Sequence, residues 1–436
     1  MDVTVEVVEG LTRRMKVQLP ARDVQSQVET RLQSLARRVR VDGFRPGKAP
    51  LKLVRSQYAD SVRDEVMQSV VQSTYGQALQ REQLRPAGPP SLEDRALDDA
   101  SGFTYTVTFE VYPEINLQQL DQIKIQRPVA SIEDADLDRM VENLRQQRRQ
   151  FQAVTDRAAQ SGDRVTLDFH GTLDGAEFEG NHGQDVKVEL GSGRMLKDFD
   201  AAVLGMRAGE SKDFDLNFPA DYAAAHLAGK TARFNVKLRQ VEEKRLPAID
   251  EAFVRAFGVA SGQVEDFRRE VRDNMNRELK QAVRARIKRQ ALDQLLALNP
   301  VSLPGTLVQE EISRMREQTL HDMPALRQHP GALADNMFEE GARRRVGLGL
   351  LVGEVIKQQK LELDKGRVQE AIREIASTYE NPTEVENLYA QRQDLRAGVE
   401  ALVLEDQVVD WLTGQAQVED QAQGFYDLVS PQPSAA

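Results

Sequence analysis

Between residues 264 and 298 an apolar side chain recurs at every fourth position: Phe267, Val271, Met275, Leu279, Val283, Ile287, Ala291 and Leu295. Arg, Lys, Glu and Gln fill most of the remaining places. This spacing predicts one unbroken α-helix, about 50 Å long at 1.5 Å per residue. The stripe is a single file of side chains, which suits a protruding arm better than the centre of a thick core. The 436 residues leave room for roughly two to four domains.

The period changes along the chain. Val3, Val5 and Val7 alternate, Glu9-Gly10 turns, and Met15, Val17 and Leu19 alternate again, which predicts a hairpin. Val24, Val28, Leu32, Leu35 and Val39 then keep helical spacing, and Pro50 opens a second helix through Val54, Tyr58, Val62, Val66 and Val70. After the breaker RPAGPP, Phe103, Tyr105, Val107, Phe109 and Val111 read as a strand. Residues 1–112 are therefore expected to form an α+β domain. Residues 113–150 read as a linker with a short β-like piece and a polar helix. Residues 151–243 read as short antiparallel strands around Val165–Phe169, Val186–Leu190, Phe214–Phe218 and Phe234–Leu238, with the Asp174-Gly175 hairpin signal and a single covering helix in RMLKDFDAAVLGM. Residues 244–425 are expected to be all-helical, and 426–436 to be a disordered tail.

Composition removes whole classes of chemistry. Cysteine is absent, which excludes disulfides, thiolate nucleophiles and cysteine-ligated metals. No window approaches the roughly 18 apolar residues of a membrane span, and the opening MDVTVEVVEG lacks the pattern of a secretory signal. These features point to the cytoplasm and away from a membrane partner. GSGR at 191–194 lacks the Gly-Lys-Ser/Thr ending of a phosphate loop and reads as a turn. His321 and His329 stand apart with no acidic cage and read as surface residues. No metal and no cofactor is expected.

The net charge is −11, yet Arg31, Arg37, Arg38, Arg40, Arg45, Lys48, Lys52 and Arg55 face only Asp42 between residues 31 and 55. In the middle of that run stands VDGFRPGKAP, residues 41–50, a helix–helix loop that puts an aromatic and an arginine at a turn tip. The glycines and Pro50 also suit an ordinary solvated loop. Basic side chains can release phosphate counterions, however, and Phe44 can fill a partner's pocket.

Gly43-Phe44-Arg45-x-Gly47-x-x-Pro50 resembles the ribosome-docking signature of the bacterial trigger factor family. The resemblance implies that Gly43, Phe44, Arg45, Pro46, Gly47, Lys48 and Pro50 bind the large ribosomal subunit beside the tunnel exit, on a ribosomal protein and adjacent rRNA. Pro46 departs from the basic residue often found there, removing one charge and stiffening the tip. Residues 161–243 independently resemble the FKBP-type peptidyl-prolyl isomerase that forms the middle domain of that family. Carried over position by position, its pocket implies Phe169, Phe178, Glu179, Val186, Met195, Leu196, Phe199 and Phe234 as catalytic residues, with Tyr222, and more remotely His226, in a shortened loop. Phe199 would be the pocket floor, and Lys197-Asp198 replaces the Pro-Gly that typically precedes it.

The resemblance further implies a multidomain α+β protein whose elongated helical C-terminal part cradles nascent and unfolded polypeptides without ATP. It also implies a homodimer off the ribosome and roles touching protein export and cell division. Two other readings fit parts of the sequence. One is a binding-only chaperone whose FKBP domain is catalytically weak, which Lys197-Asp198 keeps open. The other is a dedicated RNA-binding protein, against which the overall acidity counts.

Overall fold

The structure, a computed structural model, describes residues 1–40, 44, 50–98, 102–328, 331, 333–379 and 381–430. Along the chain come β1 (Asp2–Glu9), β2 (Thr12–Leu19), α1 (Ala21–Ala36), α2 (Leu51–Arg81), β3 (Ser91–Asp98), β4 (Gly102–Glu110), β5 (Lys124–Val129) and α3 (Asp134–Gln147). Then follow β6 (Gln150–Val154), β7 (Arg164–Thr172), β8 (His182–Glu189), α4 (Lys197–Val203), β9 (Ser211–Asn217), β10 (Thr231–Arg245) and α5 (Glu251–Ala256). The remainder is α6 (Val264–Leu298), α7 (Gly305–Asp322), α8 (Asn336–Gln359), α9 (Lys365–Ala376), α10 (Pro382–Gln391), α11 (Gln393–Gln415), β11 (Gln417–Ala422) and α12 (Phe425–Val429). The chain folds as two compact units. One comprises Met1–Arg127 and Arg284–Gln421, the other Pro128–Val283 with the chain from Ala422 onward.

In the first unit a sheet of order β1-β2-β4-β3 buries Met15, Val17, Phe103, Tyr105, Val107 and Phe109 against α1 and α2. The alternation that predicted these strands is the alternation of the buried face. Tyr105 hydroxyl meets the Thr74 hydroxyl at 2.9 Å, so the one polar atom of that buried ring is satisfied. The α1–α2 pair is tied by two ion pairs, Arg31 with Glu65 and Arg55 with Glu29. The local surplus of bases is therefore smaller in space than along the sequence.

The helical part of this unit packs Ala291, Leu292, Leu295, Leu351, Val355, Val408, Val409 and Leu412 around Ile123 and Ile125. The expected 113–150 linker thus carries core residues, and its β-like piece is β5, paired with the distant β11. Among the described residues, the other edge of β5 meets no strand. Instead Gln290 and Gln294 of α6 bond it in strand fashion. The Gln126 amide donates to Gln290 Oε1 and the Lys124 amide to Gln294 Oε1, at 2.9 and 2.7 Å. Each glutamine returns an N–H to the carbonyl of the same residue. Four helical residues rise about 6.0 Å and two strand residues about 6.6 Å, so this spacing matches the two backbones.

A second tie is made by Glu110 at the end of β4. Its carboxylate accepts from the Gly305 and Thr306 amides at 2.9 and 2.7 Å and from the Thr306 hydroxyl at 2.6 Å, capping α7. Burial alone would raise this carboxyl. The bonds from Thr306 and Gly305 outweigh that and hold it below its ordinary value.

In the second unit the sheet order is β6-β10-β7-β8, with β9 also on β10. Beside this sheet, α3, α5 and the α6 segment up to Val283 form their own core of Leu137, Val141, Phe253, Val254, Phe267, Val271, Met275 and Leu279. The expected disordered tail is corrected here. Residues 426–430 continue an ordered segment, because α12 seats a fully buried Phe425 in this core. Arg139 lies 4.2 Å over the Tyr426 ring, and the Tyr426 hydroxyl donates to the Asp136 carbonyl at 3.2 Å. Residues 431–436 and His329 lie outside the described residues.

Replacing Gln290 and Gln294 together by alanine removes the second partner of β5, at about 1 kcal/mol per lost bond. The amides of Lys124 and Gln126 should lose hydrogen-exchange protection while those of the β4 strand keep theirs. Glu110→Ala should cost about 1 kcal/mol near neutrality. Because the folded carboxyl is held low, its contribution is present above the ordinary carboxyl range, near pH 4.3. It is lost as pH falls through the lower folded value. Urea unfolding of parent and variant over a pH series should show the difference closing in acid.

Candidate functional site

The aromatic residues singled out in 161–243 come from separate elements and meet at one place. Phe169 comes from β7, Phe178 from the chain after the Asp174-Gly175 turn, Phe199 from α4 and Phe234 from β10. Phe234 is the hub. Its ring centroid lies 6.1 Å from Phe169 and Phe178 and 6.4 Å from Phe199. Phe169 and Phe199 meet edge to face at 5.9 Å. Such pairs each contribute about 0.5–1.5 kcal/mol beyond the area they bury. Val186, Met195 and Leu196 are partly buried against the same cluster.

Sheet register explains how these rings fit side by side. Phe234 stands opposite Gly171, and Phe169 opposite Gly183. A Cβ on Gly171 would come within 2.6 Å of the Phe234 ring, and one on Gly183 within 2.7 Å of Phe169. Each ring lies over a bare backbone that only glycine offers. Between them β8 bulges at Asp185, a non-glycine residue at φ 52°. The Asp168 carboxylate accepts the Asp185 amide at 2.9 Å and an Arg239 N–H at 2.6 Å, which fixes the bulge.

The Asp174-Gly175 pair forms a tight turn. Leu173 and Ala176 bridge across Asp174 and Gly175, at φ 50° and 82°, the positive pair a tight type I′ turn requires. At the start of α4, Leu196 occupies the cap position and its carbonyl accepts the Phe199 and Asp200 amides at 2.9 and 3.1 Å. The backbone turn that carries Leu196 thereby also sets the floor residue Phe199, which is 2% exposed.

Two residues belong to this cluster that sequence reading left as plain strand positions. Phe214 stacks with Phe234 at 6.1 Å and touches Phe199 at 5.6 Å. Phe218 meets Phe178 at 6.3 Å and carries Tyr222 at 4.8 Å. Their period-two run was visible, but the face it offers depends on the β9–β10 register, where Phe214 pairs with Phe234. Tyr222 is 37% exposed, so the aromatic set runs from a buried floor to an open lip. Glu179 and His226 are exposed and join none of these ring contacts.

No acid or base in this unit is tuned toward neutrality by its surroundings among the groups whose titration is displaced. Asp163, buried and gripped by Arg157 at 2.5 and 2.8 Å, is held below its ordinary value chiefly by that bond. Glu242 is lowered chiefly by its bond from Arg164, and Asp168 chiefly by the Asp185 amide. These carboxylates lock the sheet in the ionised form. Among the described residues no group of three or more His, Asp or Glu could hold a metal ion.

At the other candidate site, Phe44 is 42% exposed and Pro50 caps the start of α2. Gly43, Arg45, Pro46, Gly47 and Lys48 lie outside the described residues. Arg37, Arg38, Arg40 and Lys52 flank the segment and are exposed. No described helix is long and apolar enough to cross a membrane.

Three family models match the chain: bacterial trigger factor protein over residues 1–144, FKBP-type peptidyl-prolyl cis-trans isomerase over 155–239, and the trigger factor C-terminus over 263–414. The trigger factor of Thioalkalivibrio sulfidiphilus is 44% identical over all of both chains. That of Alkalilimnicola ehrlichii is 45% identical over all of this chain and 97% of its own. A solved structure, described under promiscuous substrate recognition in folding and assembly activities of the trigger factor chaperone, covers 95% of this chain and 99% of its own. Its TM-score is 0.51 at 14% identity, a likeness of fold. With its three segments matched in order and its whole length shared with such relatives, the chain belongs to the trigger factor family, with an FKBP-type peptidyl-prolyl isomerase domain in its middle.

Proposed function

We propose that this chain is a cytoplasmic, ATP-independent chaperone that docks at the ribosomal tunnel exit, holds emerging polypeptides and isomerises their prolyl bonds. The observation that carries the catalytic half is the convergence of Phe169, Phe178, Phe199 and Phe234 from separate elements, beside Val186, Met195 and Leu196. An X–Pro bond rotates over a barrier of roughly 18–20 kcal/mol set by amide resonance, and uncatalysed exchange takes tens to hundreds of seconds. Water strengthens that resonance by solvating the carbonyl. An aromatic pocket that takes the proline ring and sheds this water favours the twisted transition state, with no nucleophile or metal in the reaction.

In this reading Phe199 is the floor, Phe178 and Leu196 grip the ring, and Tyr222 with Glu179 forms the lip. The docking half rests on exposed Phe44 among the bases of 31–55, with Gly43, Arg45, Pro46, Gly47, Lys48 and Pro50 shaping the tip against a ribosomal protein and rRNA. Residues 1–112 dock, 113–150 link, 151–243 isomerise and 244–425 hold clients. Dimerisation off the ribosome and roles in export and cell division belong to the same reading. A binding-only chaperone is the second reading, favoured by Lys197-Asp198 where the isomerase family has Pro-Gly.

Co-sedimentation with salt-washed ribosomes tests docking. The parent should pellet with large subunits, and the Phe44→Ala/Arg45→Ala variant should stay in the supernatant. Equal pelleting of both would move the contact to another surface. A prolyl-peptide assay tests catalysis. Phe178 is only partly buried, so Phe178→Ala should fold and lose about tenfold or more in kcat/KM, the scale of a small misplacement at a reacting centre. Peptide binding by the parent without faster cis–trans exchange would favour the binding-only reading.

A further inference from the structure

The residues that replace Pro-Gly before the pocket floor do not leave the turn loose. Asp198 sits in the first turn of α4, between Leu196 and Phe199. Its Oδ2 accepts two N–H groups of Asn217, the backbone amide at 3.2 Å and the side-chain Nδ2 at 3.0 Å. Asn217 is also the last residue of β9, and its Oδ1 accepts the Thr231 hydroxyl at 2.7 Å across the β9–β10 pair. The next residue is Phe218, whose amide donates to the Lys230 carbonyl at 2.9 Å. Phe218 in turn holds the Tyr222 ring and meets Phe178.

A chain of short contacts therefore runs from the floor to the lip: Phe199, Asp198, Asn217, Phe218, Tyr222. At the start of β9, Lys212 Nζ donates to the Ala202 carbonyl of α4 at 2.9 Å; at the end of β9 the Asp198 carboxylate makes the polar link to α4. A hydrogen bond is directional, so it fixes the angle of the two elements as well as their contact.

We propose that Asp198 is a positioning residue of the prolyl pocket, a clasp that sets the distance between the Leu196–Phe199 floor and the Phe218–Tyr222 lip. The inference rests on the isomerase reading of this cluster. Asp198 touches no substrate in it. The carboxylate holds the walls at the separation that fits a proline ring and its preceding residue, so its loss weakens the hold on a twisted amide more than it weakens the fold. The same geometry answers the doubt raised by Lys197-Asp198. A Pro-Gly turn would stiffen the entry to α4 through its backbone, whereas here a side chain stiffens it through a cross-link to the neighbouring strand.

The test is steady-state prolyl isomerisation by the full chain and by Asp198→Ala, Asp198→Asn, Asn217→Ala and the Asp198→Ala/Asn217→Ala double variant. Circular dichroism and Tm are measured on each. Expected is a fall of about tenfold in kcat/KM for D198A, carried mainly by kcat. D198N, whose amide oxygen still accepts, should stay within about twofold of the parent. The double variant should be no worse than D198A, because both changes break one clasp. Any of three results overturns the proposal: D198A matching the parent, D198N as impaired as D198A, or losses that multiply in the double variant. A parent that fails to catalyse would overturn the isomerase reading and the clasp together. A catalysing parent with an unimpaired D198A overturns the clasp alone.

Discussion

A single-file apolar stripe on a long helix cannot be buried by one partner, and the architecture follows from that constraint. Over its 35 residues, α6 covers its stripe by halves. Phe267, Val271, Met275 and Leu279 are buried with α3, α5 and α12. Ala291, Leu292 and Leu295 are buried with β5, α8 and α11. Apart from α5, which directly precedes α6, the partners come from distant parts of the sequence. The chain must return to α6 from both directions, which is why β11 and α12, at its far end, are ordered. It is also why a segment that reads as a linker contributes Ile123 and Ile125 to a core.

This explains what could be read from the sequence and what could not. Helix and strand periods are local, so α2, α6 and β4 fall where their spacing predicts. Elements stabilised from a distance carry no such signal. β11 reads QVEDQA and is exposed along its whole length; only its pairing with β5 makes it a strand. The α12 segment is too short for a period to register; Phe425 is buried in the core, Leu428 and Val429 pack against it, and Tyr426 meets Arg139 and the Asp136 carbonyl. The glutamines of α6 look like ordinary solvated polar positions until β5 is laid beside them.

The aromatic cluster was legible for a different reason. Its members are chemically conspicuous, and a resemblance supplied their order. What the resemblance did not supply was the support. Phe214 and Phe218 enter through register, and Gly171 and Gly183 through the room they leave, which no residue-type argument predicts. The same holds for charge. Counting bases from 31 to 55 overlooks Glu29, just upstream, and Glu65, on the next helix, yet these acids lie against Arg55 and Arg31.

That neutralisation bears on how the proposed docking would work. Ion pairs between exposed side chains add little to stability, but two of them bridging α1 and α2 restrict how the helices can splay. Both bridges also remove cations from the pool available to phosphate. Among the described residues, the bases of this run outside those two ion pairs are Arg37, Arg38 and Arg40 after α1 and Lys52 at the start of α2, all exposed, on either side of the 41–50 segment. Attraction to a polyanion would then be focused on the connection and not spread over the helix faces. Under the proposed docking, an acidic chain would seek one place on an RNA-rich surface without binding RNA at large.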